Sequence, residues 1–367
     1  VIRILSPANG PEEARAVLDA GADEVYCGVM PRDWRDAYTN MASPNRREWE
    51  VSNMTSFDVL AATVDAAHRA GGRVFLALNA LYTEGQHGEV RRFIEAGGRC
   101  GIDALIVADL GVLLMLRDMG WEQEIHVSTG GTAFNAETVR FYADLGVHRV
   151  ILPRQNRLSE IAAIARGFPN LDIETFILNR GCKNIDGFCT FHHGVNEVRI
   201  PLWWRLPKKW HWDYYLLGAM KRLPGRLRDR LGRSGAFGSV GACFLAYDAD
   251  VRSATATDEE RRAMKATLDR NFNLFTGFDT CGACALFDLA AAGVASVKIV
   301  GRSNPLAKKV QDVRFLAACR AFLADRAPSR EAFRRFARER YAETYGYACH
   351  DWCYFPAEDD ALGAEAL

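Results

Sequence analysis

The stretch DLGVHRVILP, residues 144–153, carries the reading of the fold. A helical end runs into Gly146, the residue type that closes a helix in the left-handed conformation, and a short apolar, β-rich run follows almost at once. The same phrase returns as DAGADEVYCG (19–28), AGGRVFLALN (70–79) and RCGIDALIVAD (99–109). Each ends a helix at Gly and starts a buried strand, which is how successive βα units around a parallel sheet read.

Working outward, seven strands are expected in the first 180 residues: Ile2–Leu5, Glu24–Gly28, Arg73–Leu78, Ala104–Ala108, Glu124–Ser128, Arg149–Leu152 and Asp172–Leu178. Amphipathic helices separate them, among them 11–20, 56–70, 89–100 and 136–145. An eighth strand, Ser296–Val300, comes much later and is followed by a helix over 305–325. Eight such strands close an α/β, TIM-like (β/α)8 barrel, whose active site sits at the C-terminal ends of the strands. That rule places Asn79, Asp109, Ser128, Thr129, Arg154, Gln155, Asn179, Arg180, Gly301 and Arg302 around one mouth. Asp109, Ser128 and Thr129 are equally suited to capping helices.

The chain divides accordingly: 1–180 holds the first seven βα units, 181–280 a long Cys-bearing insertion between strands seven and eight, 281–325 the closing strand and helix, and 326–367 a C-terminal helix (329–345) with an acidic tail. Within the insertion, PLWWRLPKKWHWDYYLLGAMKRLPGRLRDRLGR (201–233) is rich in Trp and in basic residues. Such a segment suits a partner surface, a lipid surface or a stacked base, and equally a helix pair with its Trp residues turned inward.

With 367 residues, 49% hydrophobic and 25% charged, the chain can bury one large core. The 46 basic residues balance the 46 acidic ones, so no global field steers it to nucleic acid, which is disfavoured as a partner. No run approaches the roughly 20 apolar residues a membrane span needs, and the longest, Ala104–Leu116, is broken by Asp109. A soluble, cytoplasmic protein is expected. In a reducing cytosol, ten cysteines point to metal or redox chemistry rather than disulfides. Cys100 and Cys319, alone in helical segments, read as small buried hydrophobes.

Cys182 and Cys189 stand in RGCKNIDGFCT directly after the seventh strand, Cys243 in GSVGACFLAYD, and Cys281 and Cys284 in DTCGACALFD. Thiolates are soft donors that favour zinc and iron–sulfur clusters, and four converging Cys hold a four-iron four-sulfur cluster. Structural zinc more often uses two tight Cys pairs, and spacing alone leaves both metals open. Cys349 and Cys353, in YACHDWCYF, read as packed thiols, a further metal site or ligands that fold back.

Taken in order, ILSPANGPEEARAVLDAGADEVYCGV (4–29), GGRVFLALNALY (71–82), GIDALIVADLGVL (101–113), EIHVSTGGTAFNAETVRFYADLGVHRVILPRQNRLSEI (124–161), LDIETFILNRGC (171–182) and DTCGACALFDLAAAGVASVKIVGRSNP (279–305) resemble the collagenase-like U32 peptidase family. The likeness includes the branch of the anaerobic ubiquinone hydroxylase pair and the RNA hydroxylation proteins. It implies a four-iron four-sulfur cluster on Cys182, Cys189, Cys243 and Cys281, and oxygen-independent hydroxylation of a small or biosynthetic substrate with prephenate as oxygen donor in some members. Two departures stand out: Asn179, Arg180 and Gly181 replace the family's His-Gly-Ala step, and Val300 replaces the Glu usual after Lys-Ile. No nucleophile, base and orienting group are arranged as a peptidase needs.

On this reading Arg154, Arg180 and Arg302 pair with the carboxylates of a donor, since guanidinium matches them bidentately. His126 is a candidate proton donor, or a packed barrel histidine, and Glu174 a candidate polar group facing inward. The alternatives are a scaffold subunit that binds a homologous partner through 201–233, and an RNA-modifying or peptidase-like member of the family.

Overall fold

The computed structural model describes residues 1–37, 43–47, 52–179, 185–188, 257–262, 280–349 and 353–355. Its eight parallel strands are β1 (Arg3–Pro7), β2 (Glu24–Cys27), β3 (Arg73–Leu78), β4 (Ala104–Val107), β5 (Glu124–Val127), β6 (Arg149–Ile151), β7 (Asp172–Leu178) and β8 (Ser296–Ile299). Each pairs with the next, and β8 returns to β1 with Ile4 beside Val297, so the sheet is a closed barrel. Every expected strand is present; β1 starts one residue later and runs two further, because Ser6 and Pro7 pair with Val25 and Tyr26.

Helices α1 (Pro11–Asp19), α2 (Arg32–Ala37), α3 (Phe57–Arg69), α4 (His87–Arg99), α5 (Leu110–Asp118), α6 (Ala136–Asp144), α7 (Leu158–Gly167), α8 (Leu286–Ala291) and α9 (Leu306–Arg326) lie among the strands, and α10 (Arg330–Tyr345) follows. Their starts are written locally: Ser56, Asp109, Asn135 and Ser329 each accept a first-turn backbone N–H. Their stops are written too, for Gly146 takes a φ of 80° and hands the chain straight to β6. Among the described residues no helix is long and apolar enough to cross a membrane.

Because strand side chains alternate, the barrel has two cores. Outward residues such as Val25, Val74, Leu105 and Val150 meet the helices, while Leu5, Tyr26, Phe75, Ile106, Ile151, Phe176 and Val300 fill the interior. Below these, toward the N-terminal ends, lies a buried layer of charge. Arg149 grips both oxygens of Glu24 at 2.7 Å, and also reaches Glu174 at 2.9 Å and Asp172 at 3.1 Å. Its guanidinium lies 5.0 Å from the Phe75 ring centroid. Lys298 holds the other oxygen of Glu174 at 3.2 Å, and Ser296 donates to Glu24 at 3.2 Å. The barrel floor is thus polar but paired, as burial of charge requires.

Cys182, Cys189, Cys243, Arg180 and the 201–233 segment lie outside the described residues.

Candidate functional site

The mouth is assembled from the loops that follow the strands. Asn79, after β3, donates to Ser128 Oγ after β5 at 3.0 Å, so two adjacent strand ends are tied by side chains. Asp109 caps α5, accepting from Gly111 at 2.8 Å and Val112 at 3.3 Å, and takes the Tyr82 N–H at 2.9 Å. Its carboxylate is spent on backbone. Thr129 opens a short 3₁₀ turn.

Arg154, after β6, donates to both oxygens of Asp186 at 2.8 and 2.9 Å and lies 3.7 Å from the Phe176 ring centroid. Asp186 also accepts the Arg154 backbone N–H at 3.0 Å, and its own N–H meets Gln155 Oε1 at 3.3 Å. This fixes residues 185–188, the described fragment between Cys182 and Cys189, against the rim. Sequence reasoning did not single out Asp186; a lone Asp between Ile185 and Gly187 in a loop gives no signal of its partner.

Arg302, after β8, is buried, with 6% of its surface exposed. Its Nη2 donates to the backbone oxygen of Asn45 at 3.2 Å and to Asn45 Oδ1 at 3.0 Å, and its Nη1 reaches Asn53 Oδ1 at 3.4 Å. All three acceptors are neutral, and among the described residues no carboxylate pairs with it. Burial lowers its pKa to about 10, so the guanidinium is still charged at neutral pH. Gly28 makes the fit possible: a Cβ there would overlap Arg302 Nη1 and stand 2.5 Å from Asn45 Nδ2 and Asn53 Oδ1.

The phenol of Tyr26 lies in the same space. It donates to the Ile299 carbonyl at 3.1 Å, and Lys298 Nζ sits 4.2 Å from its ring centroid. Burial raises the Tyr26 pKa, opposed by Arg302 and, to a smaller extent, by Arg47 and Arg154. Burial likewise lowers the Lys298 pKa, opposed by Glu174. Lys298 was missed by sequence reasoning, although the alternation Ser296, Lys298, Val300 along β8 marks it as facing inward.

Glu174 lies beneath the mouth between Arg149 and Lys298; burial raises its pKa, but Lys298 and then Arg149 bring it below the ordinary value. His126 is deeper still, 0% exposed, with its ring edge-on to Phe75 at 4.6 Å and Nε2 2.9 Å from Glu124 Oε2. Burial lowers the His126 pKa to about 4, so at neutral pH it is an uncharged donor to the Glu124 carboxylate. That same bond, with Arg73, brings Glu124 down to about 2. His126 Nδ1 has no hydrogen-bond partner.

Asn179, in a left-handed conformation with φ 65°, donates to the Val300 carbonyl at 3.0 Å and to Asp312 at 2.8 Å, binding the end of β7 to β8 and α9. Gly301 turns with φ 111°.

Cys281 is the described member of the expected cluster ligands. It bridges antiparallel to Leu178, and the following Gly282 donates to the Ile177 carbonyl at 2.7 Å, so its thiol is held beside the end of β7. Ala283 N–H donates to Cys281 Sγ at 3.5 Å, the type of contact that tunes cluster sulfurs. Cys182 follows Asn179 by three residues, a reach of about 10 Å. A soft donor at the rim with a second within chain reach fits a thiolate-bound cluster. Among the described residues no three Cys, His, Asp or Glu side chains already stand at metal-holding spacing.

The model of peptidase family U32 matches residues 9–351. The tRNA hydroxylation protein P of Escherichia coli is 29% identical over 211 residues, covering 58% of this chain and 43% of that protein. The E. coli 23S rRNA 5-hydroxycytidine C2501 synthase is 30% identical, over 52% of this chain and 26% of the relative. A collagenase of Porphyromonas gingivalis is 25% identical over 51% of this chain and 44% of its own. The chain therefore spans less than half the length of these curated relatives. Among solved structures, the U32 peptidase Mk0906 aligns over 48% of this chain with 14% identity and a TM-score of 0.37.

Proposed function

The chain belongs to peptidase family U32, and from that membership we propose that it is an iron–sulfur enzyme of oxygen-independent hydroxylation or related oxygen-atom transfer, acting on a small or biosynthetic substrate. One observation carries the substrate class. Among the described residues the buried Arg302 cation at the mouth meets only neutral acceptors, and a buried charge without a counter-charge is costly unless a ligand supplies one. Arg154, held by Asp186 against the Phe176 ring, stands at the same mouth, which suits a carboxylate-bearing oxygen donor such as prephenate.

In this reading Cys182, Cys189, Cys243 and Cys281 hold a four-iron four-sulfur cluster at the rim. When bound, the cluster supplies electron transfer and Lewis acidity toward the donor. Arg302 binds a carboxylate of that donor, and Arg154, steadied by Asp186, orients a second or closes over it. Arg180, the third arginine expected to pair with the donor, lies outside the described residues. Tyr26 lines the same interior, keeps its proton through burial and donates it to the Ile299 carbonyl, which leaves its oxygen as an acceptor. Glu174 acts through Lys298, fixing the ammonium under the Tyr26 ring. His126, neutral and below these groups, positions Glu124.

The test is anaerobic purification with iron, sulfide and zinc analysis, followed by thermal melts with prephenate. Iron and sulfide in equal amounts, and a prephenate-dependent rise in melting temperature abolished by Arg302→Gln, are expected. Zinc as the sole metal eliminates the cluster reading. A second reading has its own support: two relatives are named for tRNA and rRNA hydroxylation. RNA as substrate then predicts salt-sensitive retention of RNA on filters, and its absence leaves the small-molecule reading. A scaffold role through residues 201–233 predicts that the isolated chain is inactive and regains turnover only with a homologous partner.

A further inference from the structure

Between α2 and α3, residues 43–47 lie over the mouth and are held there from both sides. The Pro44 carbonyl accepts from the Tyr82 hydroxyl at 2.6 Å and from the Ala80 N–H at 3.4 Å, which ties it to the loop after β3. Asn45 Nδ2 donates to the Val29 carbonyl at 3.2 Å and to Asn53 Oδ1 at 2.6 Å, while the two oxygens of Asn45 take Arg302. Ser43 Oγ and Asn53 Nδ2 both donate to the Arg47 carbonyl, at 2.6 and 3.0 Å. Between these anchors stands Arg46, with a φ of 56°. That is the left-handed region, which a long side chain seldom enters. Such a conformation persists only where the surroundings impose it, and it collects at ligand sites.

The turn sends neighbouring side chains to opposite sides of the mouth. Asn45 meets Arg302 after β8, whereas Arg46 reaches the ends of β4 and β5, and in the closed order of eight strands β4 stands across from β8. A Cβ on Gly130, in the turn after β5, would stand 3.4 Å from Arg46 Nη1 and overlap the Cβ of Ala108 after β4. Among the described residues the Arg46 guanidinium has no hydrogen bond, ion pair or ring contact there. A second orphan lies beside it. The Asn79 carbonyl is 3.9 Å from the same point over Gly130; the side chain of Asn79 donates to Ser128 Oγ, but its Oδ1 is buried without a partner.

We propose that Arg46 is a second anion-binding residue of the mouth, taking one acidic group of a dianionic, hydroxyl-bearing ligand whose other acidic group lies on Arg302. The inference rests on the reading of the mouth as the donor site and narrows the ligand class. Arg154 has both oxygens of Asp186 and closes over the ligand rather than binding its second charge. A monoanion satisfies one of the two remaining cations, and Arg302, the more deeply buried, gains more from it. An acid group at each end of the ligand satisfies both, since a guanidinium takes a carboxylate through two parallel hydrogen bonds. A ligand hydroxyl answers Asn79 Oδ1, an acceptor that is costly to leave unmet.

Prephenate carries two carboxylates and a hydroxyl; phenylpyruvate keeps the pyruvyl carboxylate and lacks the other two groups. The full chain, purified without oxygen, is titrated with each by calorimetry, and circular dichroism checks the fold of every variant. The wild type is expected to bind prephenate about ten- to a hundredfold more tightly than phenylpyruvate, the worth of a hydrogen-bonded charge pair. Arg46→Gln should bring prephenate down to the level of phenylpyruvate and leave phenylpyruvate unchanged, whereas Arg302→Gln weakens both. Arg46→Gly separates binding from folding. Glycine takes a φ of 56° without steric cost, so this variant should melt above Arg46→Gln in the absence of ligand and bind prephenate no better. A folded Arg46→Gln or Arg46→Gly that holds prephenate as the wild type does overturns the inference, as does a wild type that does not discriminate between the ligands. Equal loss of both ligands in Arg46→Gln overturns it too, by putting both cations on one carboxylate. A folded wild type that binds neither ligand is a different result: the donor reading of the mouth fails, and the role of Arg46 with it.

Discussion

Replacing Arg149 by Met removes the one cation that joins β2, β6 and β7 across the barrel floor. The guanidinium makes two hydrogen bonds to Glu24, one to Glu174 and one to Asp172. The side chains of Glu24 and Glu174 are 1% and 0% exposed, so water cannot take over. Breaking a buried ion pair by removing one partner costs about 3–5 kcal/mol. Here Lys298 stays on Glu174 and Arg3 on Glu24, which places the loss near the lower end, about 3 kcal/mol. That is on the order of 5–10 °C in melting temperature. The pH dependence has a definite sign. Burial raises the Glu174 pKa, and Lys298 and Arg149 more than reverse this, leaving it lowered. Its contribution is therefore present above the unfolded carboxyl value and lost as pH falls toward the folded one. Without Arg149 the carboxyl shifts up, so the deficit of the variant against wild type narrows as pH falls from 7 toward 4. Urea denaturation at pH 7 and pH 5 reads both quantities through the midpoint at constant slope. Adding Glu24→Gln to Arg149→Met should cost less than the two changes summed. A variant within about 0.5 kcal/mol of wild type at pH 7 would refute the account of the floor as a coupled charge layer.

Four further outcomes are expected. Gly28→Ala should leave the charge of Arg302 in place but push its guanidinium off Asn45 and Asn53, weakening prephenate or another dicarboxylate in a thermal-shift titration more than it lowers the melting temperature without ligand. The His126 imidazole should stay neutral down to about pH 4, as read by NMR of the ring carbons. Because its folded pKa lies below the ordinary 6.5, its contribution to stability is whole above that value and lost as pH falls to about 4, and His126→Phe should flatten that part of the curve. Asp186→Asn should loosen residues 185–188 and speed their backbone hydrogen exchange, because the Arg154 pair and the Arg154 N–H both end on that carboxylate. Tyr354→Ala, which empties a buried aromatic from the barrel mouth, should cost about 3–5 kcal/mol and raise proteolysis beyond residue 346, whereas Tyr354→Phe, which keeps the ring and loses the bond to the Asn179 carbonyl, should cost less.

The barrel was legible because its signals are local. A Gly that ends a helix and an apolar run that follows need only ten residues to be read, and Gly146 and β6 are placed as DLGVHRVILP requires. Even the late eighth strand could be found, since Ser296–Ile299 has the same turn before it at Gly293, with φ 84°. The site was legible only in part. Arg154 and Arg302 stand at the mouth because strand ends can be counted, but their partners come from elsewhere in the chain. Asp186 is 32 residues from Arg154, and Asn45 is 257 residues from Arg302. Nothing within either segment announces the other. Asp109 shows the converse limit: the same position at a strand end serves a helix cap, and only its bonds to Gly111 and Val112 decide which. The pairing of Cys281 with Cys353 was hidden for the same reason, since α9 and α10 carry the chain away and back before the two meet.

The division of charge within the barrel ties these features together. At the floor, Arg149 is neutralised by Glu24, Glu174 and Asp172, and Lys298 by Glu174. One layer up, Arg302 is buried to a similar degree yet, among the described residues, meets only amide oxygens. The same residue type at similar burial thus has different consequences: a guanidinium paired with carboxylates stabilises the closed sheet, and one that meets only neutral acceptors among the described residues favours an incoming anion. An anion entering there gains an interaction that water cannot match, and it gains it at the mouth where Cys281 also lies, beside the end of β7. The family's Lys-Ile-Glu step would put a carboxylate immediately before Gly301 and Arg302, and here Val300 stands in its place within the apolar interior. Val300→Glu should therefore reduce dicarboxylate binding by placing a fixed negative charge beside the mouth. If affinity were instead unchanged in a folded variant, the anion would have to be held away from β8, and Arg302 would lose its assigned role.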